Sequence, residues 1–168
     1  LQINLLASLI MTAKVLSELE VKRVYKAIQL GTHKERNRLI FSFGLNAGLR
    51  SCELCNLKVS DVIDDGNKVK QVINLKKEQV KGNKSNSIYI SDKLKKEILR
   101  YITTQPGKLT NRNDWLFKTQ KRTQFKAQSM QLLIKTVCEN ANVFDVTSHS
   151  LRKTFITSLS NKMISARV

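Results

Sequence analysis

Proline, glycine, cysteine, aromatic and acidic residues are all scarce in this 168-residue sequence. It has one proline, six glycines and three cysteines, and 6% of its residues are aromatic. No Pro/Gly/Ser-rich linker divides it, and 41% hydrophobic with 26% charged residues is the balance of a folded chain, not a disordered one. Cys52, Cys55 and Cys138 are too few for a disulfide framework, which points to a reducing cytoplasmic home. No apolar run approaches the ~20 residues that cross a bilayer. Residues 1–11 are apolar but broken by Gln2 and Asn4 and have no basic start. They make a poor signal peptide and read as a leader or flexible arm, with Met11 as a candidate natural start. The length suits one domain with a real hydrophobic core.

The scarcity of acid leaves a large imbalance. Thirteen Asp+Glu face thirty Lys+Arg, a formal charge of +17 and a pI near 10.1. Such a field attracts polyanions, of which nucleic acid is the leading candidate. A lipid surface would call for an amphipathic helix with bulky apolar residues opposite lysines, and no segment has that pattern, so no membrane is expected.

The pattern along the chain is mainly α, with a small three-stranded antiparallel sheet (an α+β fold). Ser17 and Glu20 form a capping box ahead of Val21, Val24, Tyr25 and Ile28, with Gly31 a left-handed cap. A second helix starts near Thr32 or His33, carries Leu39, Ile40, Phe43 and Ala47, and stops at Gly48. A short helix through Cys52, Glu53 and Leu54 follows. Val62-Ile63, a turn at residues 64–67, Val69 to Leu75, a turn at residues 81–84 and Ser87 to Ile90 read as the three strands. Ser91 or Asp92 caps a helix bearing Leu94, Ile98, Tyr101 and Ile102, which Pro106-Gly107 breaks. Trp115, Leu116 and Phe117 form a buried run. Met130, Leu133, Ile134, Val137, Cys138 and Ala141 repeat with helical period. The last helix opens at Thr147-Ser148, with Leu151, Phe155, Ile156 and Leu159 directed to the core.

Three local patterns carry chemistry. In Gly48-Leu49-Arg50-Ser51-Cys52-Glu53-Leu54, an arginine follows a helix-ending glycine and so stands at a break where its five donors can meet phosphate oxygens. Glu53, one turn on, can hold that guanidinium, although an Arg–Glu pair alone is more often a surface ion pair. In His149-Ser150-Leu151-Arg152, imidazole and guanidinium share a helix face, which suits a phosphoryl group or merely a capped helix start. Lys68, Lys70, Lys76, Lys77, Lys81 and Lys84 make the hairpin region strongly basic. A lysine at its tip can reach into DNA and protonate a leaving oxygen.

Together and in this order, the motifs resemble the catalytic domain of the tyrosine recombinases, the phage-integrase family. The matching residues are Gly48-Leu49-Arg50-x-x-Glu53-Leu54, Lys81-Gly82-Asn83-Lys84 before a strand, and His149-x-Leu151-Arg152-x-Thr154-Phe155. Leu57-x-x-x-Asp61-Val62 resembles the stretch leading into the family's sheet. The resemblance implies the DNA breaking-rejoining catalytic-core fold over residues 12–168, as a partial domain without the N-terminal core-binding domain or the C-terminal nucleophile segment. It implies site-specific recombination through a 3′-phosphotyrosyl intermediate, in the cytoplasm at the nucleoid. Arg50 and Arg152 would clamp the scissile phosphate, and Lys81 would protonate the 5′ oxygen, with Lys84 as its alternative. His149 would assist proton transfer, and Glu53 would orient Arg50. Lys76, Lys77, Lys84 and Lys153 would contact DNA. No metal or other cofactor is implied, because arginines and protonated groups supply the positive charge.

One departure stands out. The family's nucleophilic tyrosine lies beyond the H-x-x-R motif, and Tyr25, Tyr89 and Tyr101 do not fit that place. The expectation is a fragment of a longer integrase that binds DNA weakly and cleaves nothing. Such a fragment is expected to be monomeric, whereas the full-length protein would be tetrameric on DNA. Two other readings share the fold: a non-catalytic DNA-binding or regulatory remnant, and a type IB topoisomerase-like core. Cys52-x-x-Cys55 also admits a zinc reading, but only Cys138, His33 and His149 remain as further ligands, and packed free thiols fit the spacing better.

Overall fold

The computed structural model describes residues 13–76, 79, 86–104 and 111–165. Its first helix, α1 (Glu18–Leu30), starts as the sequence pattern requires. The Ser17 hydroxyl accepts from Glu20 N at 3.2 Å, and the Glu20 carboxylate accepts from Ser17 N at 2.9 Å. Gly31 departs from expectation. Its φ is −86°, and its N–H donates to Ile28 O at 3.0 Å, so the helix ends without a left-handed residue.

Helix α2 (Lys34–Ala47) is buried along Leu39, Ile40, Phe41, Ser42, Phe43 and Gly44 in succession. A helix apolar all round must be enclosed, and α2 is flanked by α1, by α5 (Asp92–Thr103) and by α7 (Ser148–Ser165). The clasp to α5 is polar at its edge. Arg38 makes a bidentate pair with Glu97 at 2.6 and 2.7 Å, and Arg100 pairs with Glu35 at 3.0 and 3.2 Å. Leu94, Ile98 and Tyr101 of α5 face inward, and Ser91 caps the helix by accepting from Leu94 N.

Two short helices follow α2: α3 (Ser51–Asn56) and α4 (Val59–Val62). The expected first strand at Val62-Ile63 is therefore mostly helical. Asp61 accepts from Lys58 N at 2.8 Å, which winds residues 59–62 into a turn with Val59 and Val62 buried. What remains of that strand is an isolated bridge from Ile63 to Val69. The sheet itself pairs β1 (Val72–Leu75) with β2 (Asn86–Tyr89), antiparallel, with Ile73 opposite Ile88 and both buried. The expected turn at residues 81–84 and Pro106-Gly107 lie outside the described residues.

The strip from Asn111 to Lys118 runs along the α3–α4 junction. Val59 N donates to Asp114 O at 3.0 Å and Leu116 N to Leu57 O at 2.8 Å, which seats Leu116 and Phe117 in the core. A tight turn then leads into α6 (Ala127–Asn140). Thr119 N donates to Thr123 O at 2.9 Å, Arg122 N donates to Thr119 O at 3.0 Å, and the two threonine hydroxyls meet at 2.8 Å. Met130, Ile134 and Cys138 of α6 are buried, and Leu133 and Val137 pack beside them. In α7 only Leu151 of the expected apolar face is buried. Phe155 is half-buried, and Ile156 and Leu159 are 49% and 45% exposed, because α7 packs on α2 through its N-terminal half. Among the described residues no helix is long and apolar enough to cross a membrane.

Among the described residues, four that are not glycine have positive φ: Asn67, Asn142, Asp145 and Arg122. Asn and Asp tolerate this region, whereas an arginine at φ 59° holds it at a cost of about 1–2 kcal/mol. Arg122→Gly should therefore raise the urea midpoint only slightly, because the relief of about 1–2 kcal/mol of left-handed strain is offset by about 0.4–1 kcal/mol of added freedom in the unfolded chain. The Glu20 carboxyl is held down at about 2 by the hydrogen bonds of Lys14 and then of the Ser17 backbone. A depressed carboxyl stabilises the fold at neutral pH, and that contribution fades as pH falls from 4.5 toward about 2. Glu20→Gln should lose this acid-side slope in denaturation curves measured across that range.

Candidate active site

The site is built where α2 gives way to α3. Gly48 closes α2 at φ 64°, ψ 29°, the left-handed conformation that glycine adopts without strain. A Cβ there would lie 2.6 Å from Cδ1 of Phe155, so the position also demands close approach by α7. One turn earlier, a Cβ on Gly44 would meet Leu151 at 2.8 Å. These two glycines let α7 lie directly on α2. That contact brings Arg152 within reach of the turn, where its Nη1 donates to the Gly48 carbonyl at 2.6 Å.

Arg50, two residues past Gly48, caps α3. Its backbone N–H donates to Glu53 Oε2 at 2.8 Å, and its Nη1 pairs with Glu53 Oε1 at 3.0 Å. The Glu53 side chain is 1% exposed, whereas that of Arg50 is 34% exposed. A buried carboxylate must be fully paired, and here both oxygens are engaged by one residue. The result is a guanidinium fixed at one edge on a side chain that stays partly exposed. Arg50 and Arg152, about a hundred residues apart in sequence, are thus gathered on a single turn.

His149 is exposed in the first turn of α7, and Lys153 is half-buried beside Arg152. Both stand on the element that carries Arg152. The start of α7 is tied to α3 by Ser51 Oγ, which donates to Ser148 Oγ at 3.4 Å and accepts from Gln131 Nε2 of α6 at 3.3 Å. Lys76 is exposed at the end of β1. Lys77, Lys81 and Lys84 lie outside the described residues. Sequence reasoning missed Gln79, two positions before Lys81. Its Nε2 donates to Asn56 O and to Asp61 Oδ2, both at 2.8 Å, which ties the chain after β1 to the end of α3. No local pattern marks such a glutamine, because its partners are remote in sequence.

Tyr101 is buried and Tyr25 half-buried, their phenols bonded to Leu116 O at 3.2 Å and Ser42 Oγ at 3.1 Å, and desolvation pushes both pKa values upward. Tyr89 is exposed on the outer face of β2. Burial likewise pushes the thiols of Cys55 and Cys138 up to about 12. No cluster of three or more potential metal ligands forms among the described residues. An open groove of about 940 Å³ between α1, the start of α2 and α6 contains none of these site residues.

Gly48→Ala should cost about 2–4 kcal/mol, the left-handed penalty plus the clash with Phe155. Urea denaturation measures that loss, and Gly48→Asn, which tolerates positive φ but retains the clash, should recover only part of it.

The family model described as the phage integrase family matches residues 14–168. Tyrosine recombinase XerC of Caldanaerobacter subterraneus subsp. tengcongensis is 30% identical over 140 residues, covering 82% of this chain and 37% of the relative. Tyrosine recombinase XerA of Pyrococcus horikoshii is 30% identical over 158 residues, covering 92% and 50%. The crystal structure of XerA recombinase superposes with a TM-score of 0.71 at 30% identity, over 90% of this chain and 52% of that one. The lambda integrase catalytic core shares the fold, with a TM-score of 0.65 at 18% identity, over 93% and 87%. The chain thus spans half or less of the two curated relatives. By sequence match, architecture and the order of its motifs, it belongs to the phage integrase family of tyrosine recombinases.

Proposed function

We propose that residues 12–168 are the phosphate-activating part of a site-specific DNA recombinase. The observation that carries this reading is the convergence of Arg50 and Arg152 on the Gly48 turn, one anchored by a buried carboxylate and the other by a backbone carbonyl. Two oriented guanidinium groups at the surface present donors to the non-bridging oxygens of one phosphate, and their charge matches what accumulates there in the transition state. Glu53 positions Arg50, and His149 donates to the same phosphate. Lys76, Lys77, Lys84 and Lys153 meet the flanking backbone.

In the reaction, the phenolic oxygen of a tyrosine forms a bond to phosphorus as the bond to the 5′ oxygen breaks. That oxygen takes its proton from Lys81, or from Lys84. The nucleophile is none of Tyr25, Tyr89 and Tyr101. The first and last are packed into the core with their phenols held in hydrogen bonds, and Tyr89 lies on the sheet. It is supplied by a further segment, and this chain alone binds duplex DNA without forming an adduct. The substrate is double-stranded DNA carrying a recombination site. This fragment acts as a monomer, and the complete recombinase as a tetramer.

The chain alone should bind duplex DNA and give no denaturant-stable protein–DNA adduct. Fused to the C-terminal segment of XerA, which would restore a tyrosine, it should form one. Arg50→Ala or Arg152→Ala in the fusion should then cut adduct yield by about 10²–10³-fold, with much smaller losses in binding. Equal losses in both would make the protein a binding module, and an adduct from the unfused chain would overturn the assignment of the nucleophile.

A further inference from the structure

We propose that Thr154 is a positioning residue of the arginine site: its hydroxyl, held by the backbone ahead of α1, fixes the roll of α7 about its own axis and so aims Arg152. The inference rests on the reading of Arg50 and Arg152 as a phosphate-activating pair.

Thr154 Oγ1 makes two hydrogen bonds at once. It donates to Ser150 O, one turn back in α7, at 2.7 Å, and accepts from Leu16 N at 2.9 Å. The first bond commits the hydroxyl proton within the helix, which turns a lone pair toward the incoming backbone N–H. The segment that brings this N–H is itself held from both ends. The Leu16 side chain is buried, and Ser17 beside it caps α1. Lys14 Nζ pairs with Glu20 Oε1 at 2.7 Å and donates to Phe144 O, in the connection that leads into α7, at 3.2 Å. Leu16 N is thus a fixed point against which α7 is set.

The need for such a point follows from how α7 lies on α2. Leu151 fits over Gly44 and Phe155 over Gly48, and these two contacts, one turn apart, form a line along the helix. A line of contact resists sliding and separation but opposes rotation about itself only weakly. At about 100° per residue, Arg152 stands about 80° to one side of that line and Thr154 about 80° to the other. The bonds from Arg152 to Gly48 O and from Thr154 to Leu16 N are therefore ties on opposite flanks. Among the described residues, the third side-chain hydrogen bond from α7 to another part of the chain is at its first residue, where Ser148 meets Ser51 at 3.4 Å. Farther along, Ile156 and Leu159 are exposed. With side chains at a radius of about 5–6 Å, a roll of about 10° carries Arg152 roughly 1 Å. A misplacement of about 1 Å can cost on the order of 10²-fold in rate.

The test compares Thr154→Val, which keeps the shape and loses the hydroxyl, with Thr154→Ser, which keeps the hydroxyl. In the fusion to the XerA segment, Thr154→Val should slow single-turnover adduct formation by about 10–10²-fold while duplex affinity changes little, and Thr154→Ser should recover most of the rate. In an Arg152→Ala background Thr154→Val should add almost nothing, because the side chain it aims is gone. In the chain alone, the NMR signal of Arg152 Nε–H should move in Thr154→Val and return in Thr154→Ser. Lys14→Gln, which loosens the segment at a partly exposed residue, should move that signal the same way by less, and it carries the test if Thr154→Val does not fold. If Thr154→Val slows the Arg152→Ala fusion as much as the parent, or if the Arg152 signal stays in place, Thr154 serves the fold alone and the proposal falls by itself. If the parent fusion forms no adduct, or loses none on Arg152→Ala, the phosphate-activating reading falls, and the Arg152 signal still decides whether Thr154 aims that side chain.

Discussion

The left-handed turn at Gly48 is the constraint on which the site depends. It ends α2, turns the chain so that Arg50 can cap α3, and exposes the carbonyl that Arg152 clasps at 2.6 Å. Its lack of a side chain is as important as its backbone angle, because Phe155 occupies the space a Cβ would need. Two cations from distant parts of the chain repel each other, and a phosphate-binding site needs them close. The repulsion is offset here by neutral and anionic anchors, the Gly48 carbonyl and the buried Glu53 carboxylate, each engaging one guanidinium at one edge.

Around that turn the fold is arranged so that one enclosed helix sets the geometry. Helix α2 is buried on every side through its middle, so α1, α5 and α7 take their positions from it. The pairs Arg38–Glu97 and Arg100–Glu35 close the seam with α5 at its solvent edge, where such pairs select register more than they add stability. The glycines at 44 and 48 lower the α2 surface where α7 crosses. Helix α6 and its basic turn lean on α3 through Gln124 and Gln131.

Most of the helical architecture was legible in the sequence. The capping box at Ser17–Glu20 and the spacing of Leu94, Ile98 and Tyr101 are local patterns, and the structure follows them. Where reading failed, a local signal lost to a remote or competing one. Val62-Ile63 has strand composition, but the Asp61–Lys58 cap bends it into a helical turn. Gly31 looks like a left-handed cap and is not one, since a backbone bond to Ile28 ends the helix with ordinary angles. Ile156 and Leu159 have core composition and face solvent, because amphipathic spacing says which residues share a face but not whether anything covers it.

The candidate site divides along the same line. In the sequence Arg50, Glu53, His149 and Arg152 are candidates through the order of their motifs and the resemblance that order carries, and the local relations among them, a glycine-ended helix, a cap and an i, i+3 pair, are short-range. Only the tertiary structure brings Arg152 onto the Gly48 carbonyl, gives Gln79, Gln124 and Gln131 their partners, and pairs Lys118 and Arg112 with carboxylates while Lys121 and Arg122 have none among the described residues. Apart from the i, i+4 pair Lys118–Asp114, these are contacts between residues about 20 to about 100 positions apart. Whether two such segments meet is decided by how closely helices can pack, which depends on the whole core and is written in no single stretch of the chain.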